Sequence, residues 1–276
     1  MTAKVKALYS ISKSEHTEED NDDFMFVGAS GNEYAASDGA TVSMFSREWA
    51  RTLCEQFCNS PAERITPQWI DKASENLNDK VRDISMNWFA EAKFKEEGSH
   101  ATLLGLRLDP EGERFYVTSI GDTCLYFRNS TMGKMLPIDR PELFSNYPNF
   151  LCSITDKNTV SLSNQINYSG RLLEGKTRFY IMTDALAKWF SQNLLEEVNR
   201  EKARVKARSS KTLKRSLDKG LSALRNLMTN EKPWRRLERI RNEEGFRRFV
   251  GNLRRKKEMD DDDTSLMILE VVISKG

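Results

Sequence analysis

Aspartate residues stand at the ends of apolar runs in this chain of 276 residues. Asp22 and Asp23 come directly before the run FMFV, and Asp38 directly follows EYAAS. A Ser-Gly-Asn turn between the two runs predicts a hairpin, which would bring these carboxylates together at its open end. Negatively charged carboxylates at such a short distance repel one another. The segment is therefore either a solvated hairpin or part of a site for a positive ion.

More aspartates occupy similar positions further along the chain. Asp122 follows the alternating segment ERFYVTSIG, Asp184 follows the apolar run FYIMT, and an aspartate run at 260–263 comes shortly before SLMILEVVI. If these strands share one sandwich, their ends meet at one rim, and carboxylate oxygens suit Mn²⁺, Mg²⁺ or Ca²⁺. Taken singly, each aspartate fits a turn or a helix cap equally well. Only the whole set favours a metal site.

The composition is that of a globular protein. Hydrophobic residues make up 38% of the chain and charged residues 30%, with a mean hydropathy of -0.62, which excludes a membrane or disordered class. The apolar run SLMILEVVI is too short to cross a bilayer. The N-terminal segment has no sustained apolar stretch of the secretory type, so we expect a cytoplasmic protein.

Cysteine and histidine are scarce. Cys54 and Cys58 are spaced four residues apart in a helical pattern and could share a face, but the chain has only two histidines, His16 and His100. A zinc site is therefore disfavoured, and we expect the cysteines to be small buried hydrophobic residues without disulfides.

Strands and helices fall into separate blocks of sequence. A repeat of apolar residues at every fourth position from Phe45 to Phe57 predicts a helix from Ser46. A second helix is predicted from Gln68 to about Phe94, capped by Thr66 and with Ile84 and Trp88 among its apolar positions. The Gly121-Asp122 pair predicts a tight hairpin. Together these blocks predict one α+β domain, residues 1–276, with mainly antiparallel sheets.

A basic helical elaboration is predicted at about 195–258, where Lys and Arg outnumber acids about two to one. A solvated helix face is the favoured interpretation. Docking of an acidic protein or phosphopeptide is an alternative, and nucleic acid is disfavoured because no aromatic stacking platform lies among the basic residues. We expect residues 200–215 to be mobile. The apolar side chains expected to pack inward are Leu237, Ile240, Phe246, Phe249, Val250 and Leu253.

Six segments, in order and at similar spacing, resemble motifs of the metal-dependent protein phosphatases of the 2C type. Each motif alone is unspecific, but together they span about residues 8 to 273. The absence of an Asp-Gly-His-Gly motif favours a bacterial member. The segments are NDDF, AASDGAT, GSHATLLGLRL, TSIGDTCLYFRN, FYIMTDALAKWF and DDDDTSLMILEV.

The resemblance implies a four-layer α-β-β-α sandwich, in which two antiparallel sheets are flanked by helices. It also implies two ions of Mn²⁺ or Mg²⁺ at one end of the sandwich, with room for a third. By their place in the motifs, the implied metal ligands are Asp38 as the bridge with Gly39, Asp184 and Asp261 for the first ion, Asp23 and Asp22 for the second, and Asp122 for the third.

The reaction implied by this resemblance is hydrolysis of phosphoserine and phosphothreonine in proteins. A hydroxide that bridges the two ions attacks phosphorus, so Asp38 counts as catalytic and no phosphoenzyme is needed. The implied partner is a phosphorylated protein, and the sequence leaves open whether a cognate Ser/Thr kinase exists. We expect a monomer that binds neither membrane nor nucleic acid.

The chain departs from the family pattern at two places. Ala185 replaces the glycine of Thr-Asp-Gly, and no arginine precedes Asp23. His16 stands nearest to the missing arginine, with Lys13 as a weaker candidate, and could bind phosphate or protonate the leaving alkoxide; an idle exposed histidine is the alternative. These departures keep a second hypothesis open, a catalytically weak regulatory or phosphoprotein-binding module.

Overall fold

The computed structural model describes residues 1–61, 64–145, 147–209 and 232–274. Residues 210–231 of the basic elaboration lie outside the described residues. The predicted mobility of residues 200–215 therefore falls outside them from residue 210 onward. Two antiparallel five-stranded sheets are packed face to face with helices on their outer sides. This α+β arrangement confirms the predicted fold class.

The strands form two large sheets and one small one. In spatial order, the first sheet consists of β1 (Thr2–Ile11), β12 (Thr264–Ile273), β11 (Gly175–Met182), β7 (Cys124–Arg128) and β8 (Gly133–Leu136). The second sheet consists of β10 (Ile166–Arg171), β6 (Arg114–Ile120), β5 (Leu103–Asp109), β3 (Glu33–Asp38) and β2 (Asp23–Val27). The short strands β4 (His100–Ala101) and β9 (Leu151–Cys152) pair with each other.

Seven α-helices are found in the described part of the chain. They are α1 (Ser46–Asn59), α2 (Pro67–Val81), α3 (Trp88–Glu97), α4 (Thr159–Ser163), α5 (Asp184–Ser209), α6 (Pro233–Glu238) and α7 (Glu243–Arg255).

The two sheets bury an aromatic core between them. Phe115 makes edge-to-face contacts with Phe127 and Phe179, at centroid distances of 4.9 and 5.0 Å, a favoured geometry for aromatic pairs. Fully burying a side chain of this size contributes about 1.5–3 kcal/mol. This core fixes how the strand ends of the two sheets face each other.

Helices α1 and α2 cover the outer face of the second sheet. Trp49, Leu53 and Phe57 of α1 are buried there, as their spacing predicts. The Thr66 hydroxyl accepts a hydrogen bond from the Trp69 amide at 3.2 Å, which confirms Thr66 as the cap of α2.

The predicted single helix from Gln68 to about Phe94 is wrong. Helix α2 ends at Val81, and α3 begins at Trp88 behind Asn87, whose side chain accepts a hydrogen bond from Ala90 N at 2.8 Å. Asparagine favours such a cap because its side chain bonds the free amides of the first turn. Trp88 is 80% exposed and Ile84 44%, so neither residue is part of the core.

The predicted hairpin at Gly121-Asp122 is also wrong. Strand β6 pairs with β5 and β10 in the second sheet, whereas β7 pairs with β11 and β8 in the first. The turn between them therefore crosses from one sheet to the other. Gly121 has φ +99°, and a Cβ there would approach Thr102 to 2.6 Å, so glycine is required at this crossing.

Helices α5, α6 and α7 cover the outer face of the first sheet. Leu237, Phe246, Val250 and Leu253 are buried, and Ile240 and Phe249 are partly buried against them, which confirms the predicted inward face. Within the described ranges, no helix is long and apolar enough to span a membrane.

Candidate metal centre

The hairpin β2–β3 sets two carboxylates opposite each other. Asp23 and Asp38 are directly paired in the antiparallel ladder. Residue 38 is anchored on its other side by Thr102, whose Oγ1 accepts from Asp38 N at 2.9 Å and whose amide donates to Asp38 O at 2.8 Å. The expected closeness of carboxylates at the open end of this hairpin is confirmed.

Asp184 is contributed by the first sheet. It follows Thr183 at the end of β11 and is the first residue of α5, where the helix dipole favours a negative charge. The Thr183 hydroxyl donates to Asp23 Oδ2 at 2.8 Å and accepts from Ser265 N at 2.9 Å. Thr183 thus ties the strand that carries Asp184 to Asp23 in the other sheet.

Five carboxylates surround a common region, which we term the metal centre: Asp23, Asp38, Asp122, Asp184 and Asp262. Burial raises the pKa of Asp38 well above its usual value, and repulsion from the other four raises it further. The pKa of Asp184 is raised to about 7 by burial and then by Asp122 and Asp262. Such shifts mark carboxylates that lack a neutralising charge.

Two carboxylate oxygens of the metal centre have no hydrogen-bond partner. Asp23 and Asp122 are 5% and 2% exposed, and the Oδ1 atom of each is buried and unpaired. Buried oxygens are normally satisfied, and leaving a charged one unpaired is costly. Asp122 is in this position because its turn crosses between the sheets.

The member of the aspartate run that joins the metal centre is Asp262, not Asp261 as the motif alignment implies. Asp261 is exposed and accepts hydrogen bonds from Ser14 N and Ser14 Oγ, both at 3.0 Å. Although burial acts to raise its pKa, these bonds and the Arg254 charge hold that pKa below the usual value. The charge of Asp262, in contrast, contributes to the raised pKa values of Asp38, Asp122 and Asp184.

Asp263 and Arg254 fix the loop that carries Asp262. The sequence marked Asp263 only as part of the run 260–263, and it gave no signal for Arg254. The Asp263 carboxylate accepts from Lys13 N and Asp22 N, both at 2.8 Å. Arg254 donates to Ser12 O at 2.9 Å, to Thr264 Oγ1 at 3.0 Å and to Asp262 O.

The guanidinium of Arg254 on α7 thereby joins the segment after β1 to the loop that carries Asp262. Its side chain is only 11% exposed, and its Nε lies 3.3 Å from Asp261 Oδ1. Burial lowers the pKa of Arg254, and the neighbouring aspartates counteract that shift.

Asp22 and Gly39 lie beside the metal centre. The Asp22 carboxylate accepts from Ser46 Oγ at 2.7 Å and is not among the carboxylates that raise the Asp38 pKa. A Cβ on Gly39 would lie 2.8 Å from Ser46 O and 2.9 Å from Asp22 O, so only glycine permits this close approach of three backbone segments.

His16 and Lys13 differ in where they lie. His16 is exposed in the loop after β1 and lies close enough to Asp20 to favour the charged form of that carboxyl. The Lys13 ammonium donates to Thr41 Oγ1 at 3.1 Å. Burial raises the pKa of Asp22 and of Asp262, and the Lys13 charge counteracts both shifts. Of these two residues, Lys13 is the one that lies beside the metal centre.

Ala185 causes no backbone strain. It lies in the first turn of α5 and is not among the described non-glycine residues with positive φ. Its amide donates to the Asp184 carboxylate. The methyl group in place of the family's glycine is thus accommodated in ordinary helical backbone.

The metal centre fits hard divalent cations by its donor chemistry. All five of its ionisable groups are carboxylates, the ligands that Mn²⁺ and Mg²⁺ prefer, and one buried oxygen each of Asp23 and Asp122 has no hydrogen-bond partner. Across the described residues, no three such groups already converge closely enough to hold one ion.

Comparison with known proteins identifies the family. The model of the protein phosphatase 2C family matches residues 12–226. The chain belongs to this family. This confirms the resemblance carried by the motifs. A search of curated protein sequences found no match.

Solved structures share the fold of this protein phosphatase 2C member. Mycobacterium tuberculosis serine/threonine phosphatase PstP/Ppp is 12% identical with a TM-score of 0.53, over 99% of this chain and 100% of that one. A PstP catalytic domain in complex with two manganese ions is 12% identical with a TM-score of 0.51, over 98% and 99%. A bacterial serine phosphatase is 12% identical with a TM-score of 0.50, over 100% and 99%.

Proposed function

We propose that this protein is a metal-dependent phosphatase that hydrolyses phosphoserine and phosphothreonine in proteins. The observation that carries the proposal is the position of Asp38, whose carboxylate lies among four others from both sheets. A buried carboxylate surrounded by four others is an unfavourable arrangement unless cations bind there. Family membership supplies the reaction class.

The metal centre would hold two ions of Mn²⁺ or Mg²⁺. Asp38 with Asp23, Asp184 and Asp262 is the ligand set that we infer, and Asp122 would hold a third ion. When bound, such ions generate a nucleophile from water at neutral pH and neutralise charge on phosphoryl oxygens.

Other residues of the chain prepare the site. Thr183 orients Asp23 through its hydroxyl, and Arg254 holds the backbone of Asp262. We infer that Lys13, rather than His16, receives the phosphate, because its ammonium lies on the side of Asp22 and Asp262. A lysine contacts phosphate as a point charge, whereas arginine binds it in a fork.

The proposal is tested by the rate of hydrolysis of a small aryl phosphate and a phosphothreonine peptide with Mn²⁺. Asp38→Asn should reduce both rates to the background of the uncatalysed reaction, because it removes the central ligand. Asp83→Asn is the matched control, since Asp83 is exposed in the segment between α2 and α3 and should retain wild-type rates. Equal rates for wild type and Asp38→Asn would contradict the proposal.

A second candidate function is a regulatory or phosphoprotein-binding module. The absence of arginine from residues 1–22 favours it, because phosphate would then be held less firmly in the transition state. Under this alternative, wild type would bind Mn²⁺ and phosphopeptide in titration calorimetry but show no turnover above Asp38→Asn.

A further inference from the structure

A groove of about 690 Å³ lies beside the metal centre. Its walls are α5, α6 and the segment 256–260, which joins α7 to β12. Ala185 and Asp260 line the end of the groove nearest the metal centre. Asp260 also raises the pKa of Asp184, so this end of the groove lies within electrostatic reach of the candidate ligands.

The groove carries four cations, Lys188, Arg236, Lys256 and Lys257. Lys256 and Lys257 are exposed, and within the described residues neither forms an ion pair. Arg236 lies over the rings of Trp189 and Phe249, with its guanidinium carbon 4.8 and 5.4 Å from their centroids. This stacking holds the Arg236 charge in one place.

Most of the acidic residues in the groove wall are already neutralised. Lys188 Nζ lies 2.6 Å from Asp260 Oδ2, and Arg200 Nη2 lies 2.6 Å from Glu196 Oε2. Glu258 is therefore the remaining acidic residue of the groove wall. Three cations of the groove, Arg236, Lys256 and Lys257, have no carboxylate partner in the described chain. The groove is positive, although the metal centre beside it is negative.

Lys257 is held in an unusual backbone conformation. Its φ is +57°, at a position just after α7 where glycine or asparagine is usual. Its amide donates to Arg254 O at 2.9 Å. A lysine there bears a steric cost that glycine would avoid, and its exposed side chain lies at the groove.

We propose that this groove binds acidic residues that flank the phosphorylated serine or threonine of the substrate. The proposal rests on the proposed function, because it assumes that the phosphate enters the metal centre. Carboxylates of the same peptide would then pair with Lys256, Lys257 and Arg236. The preferred substrate class is a phosphoprotein whose phosphorylation site has acidic residues on one side.

The test measures binding and turnover on the same peptides. A pair of fluorescent peptides carries a non-hydrolysable phosphonate in place of phosphothreonine, flanked by Asp and Glu in one and by Asn and Gln in the other. Fluorescence anisotropy with Mn²⁺ should show the acidic peptide bound about threefold to tenfold more tightly, the scale of a few exposed ion pairs. This preference should shrink at high salt.

Charge reversal locates the preference. Lys256→Glu with Lys257→Glu should abolish or invert it, whereas Lys4→Glu with Lys72→Glu, which makes the same change in net charge on exposed residues outside the groove, should retain it. Lys256→Gln with Lys257→Gln should give an intermediate loss. The corresponding phosphothreonine peptides should show the same order in kcat/KM.

The outcomes separate the two proposals. If wild type hydrolyses both peptides but shows no acidic preference, or if the preference survives charge reversal at residues 256 and 257, the groove proposal is overturned while the phosphatase proposal stands. If nothing is hydrolysed but the acidic preference in binding depends on these lysines, the groove proposal stands and the enzyme proposal fails.

Discussion

Asp23 and Asp38 are positioned by strand pairing, whereas Asp262, on the other side of the metal centre, is positioned by individual side chains. The β2–β3 ladder sets the first two opposite each other. The loop 260–263 depends on hydrogen bonds from Arg254 and from the segment around Ser14. One side is therefore part of a sheet, and the other is a loop held by a few polar contacts.

This difference has consequences for sequence variation. A strand end keeps its place as long as the alternation of its apolar residues is kept, because a slip by one residue exposes the whole buried face. A loop of four identical residues has no such internal register. Which aspartate enters the metal centre is decided by the partners of Asp261 and Asp263, so changes at those partners should act on metal binding.

The largest expected effect separates two neighbours in the loop. Asp262→Asn should lower kcat/KM for a phosphothreonine peptide by at least about 100-fold, beyond the usual range for residues outside the first ligand shell. Asp261→Asn should lower kcat/KM by less than about tenfold. The Asp261 carboxylate contacts Ser14 and Arg254 and therefore affects only the position of the loop.

Manganese titration calorimetry on the same two variants provides the direct readout. Asp262→Asn should reduce the stoichiometry or the affinity of Mn²⁺ binding, while Asp261→Asn should retain the stoichiometry. The reverse order of effects would restore the assignment that the motif alignment implies and would remove the contrast between the two residues.

The second prediction concerns Arg254. Arg254→Met should weaken Mn²⁺ binding by about tenfold, within the range known for outer-shell partners of metal ligands, because the segment after β1 and the loop that carries Asp262 lose their common donor. Arg255→Met is the matched control, since Arg255 is exposed at the end of the same helix. Equal Mn²⁺ affinities for the two variants would show that the loop holds its position without Arg254.

Much of the metal centre could be predicted from sequence because strand ends are readable. Asp23, Asp38 and Asp184 each follow or precede an apolar run whose period indicates a strand, and the structure brings all three together. Asp262 could not be distinguished from Asp261 by residue type or by the Asp-Asp-x-Thr motif. Arg254 gave no signal, because in sequence it is one basic residue among many on a helix.

The errors in the fold have a shared physical cause. A Gly-Asp turn between two strand-like segments fits a hairpin and a crossing between sheets equally well, and only the partners of β6 and β7 decide between them. Similarly, the helical pattern continues through Ile84 and Trp88, but Asn87 caps a new helix there. Local patterns fixed the type of each element, and tertiary pairing fixed its place.

The third prediction is a pH dependence of the metal-free protein. Asp184 has a pKa of about 7 in the folded state, against about 3.9 in an unfolded chain. Between these values the unfolded state loses its proton first, so the free energy of unfolding falls as pH rises to about 7. The Tm in EDTA should be higher at pH 5.5 than at pH 7.5, by about 5 °C or more.

Two controls isolate the contribution of Asp184. Asp184→Asn should reduce the change in Tm, because it removes a carboxylate that is buried and repelled by Asp122 and Asp262. Burial lowers the pKa of His100, so below pH 6.5 this residue makes the free energy of unfolding rise with pH. Because His100 is unchanged in Asp184→Asn, its contribution is the same in both proteins. Saturating Mn²⁺ should raise the Tm most at pH 7.5. A flat profile in EDTA would contradict strong repulsion in the metal centre.

The smallest expected effect tests the two cations of the loop after β1. Lys13→Gln should raise KM for a phosphothreonine peptide by about threefold to tenfold with little change in kcat, because a charge-assisted contact to phosphate is lost. His16→Gln should leave both parameters unchanged, since His16 is exposed and its charge interacts with Asp20, which is not part of the metal centre. Because the Lys13 backbone amide bonds Asp263, either substitution leaves the loop contact intact. A fall in kcat for His16→Gln, with a pH profile that loses its acidic limb, would instead assign His16 as the proton donor.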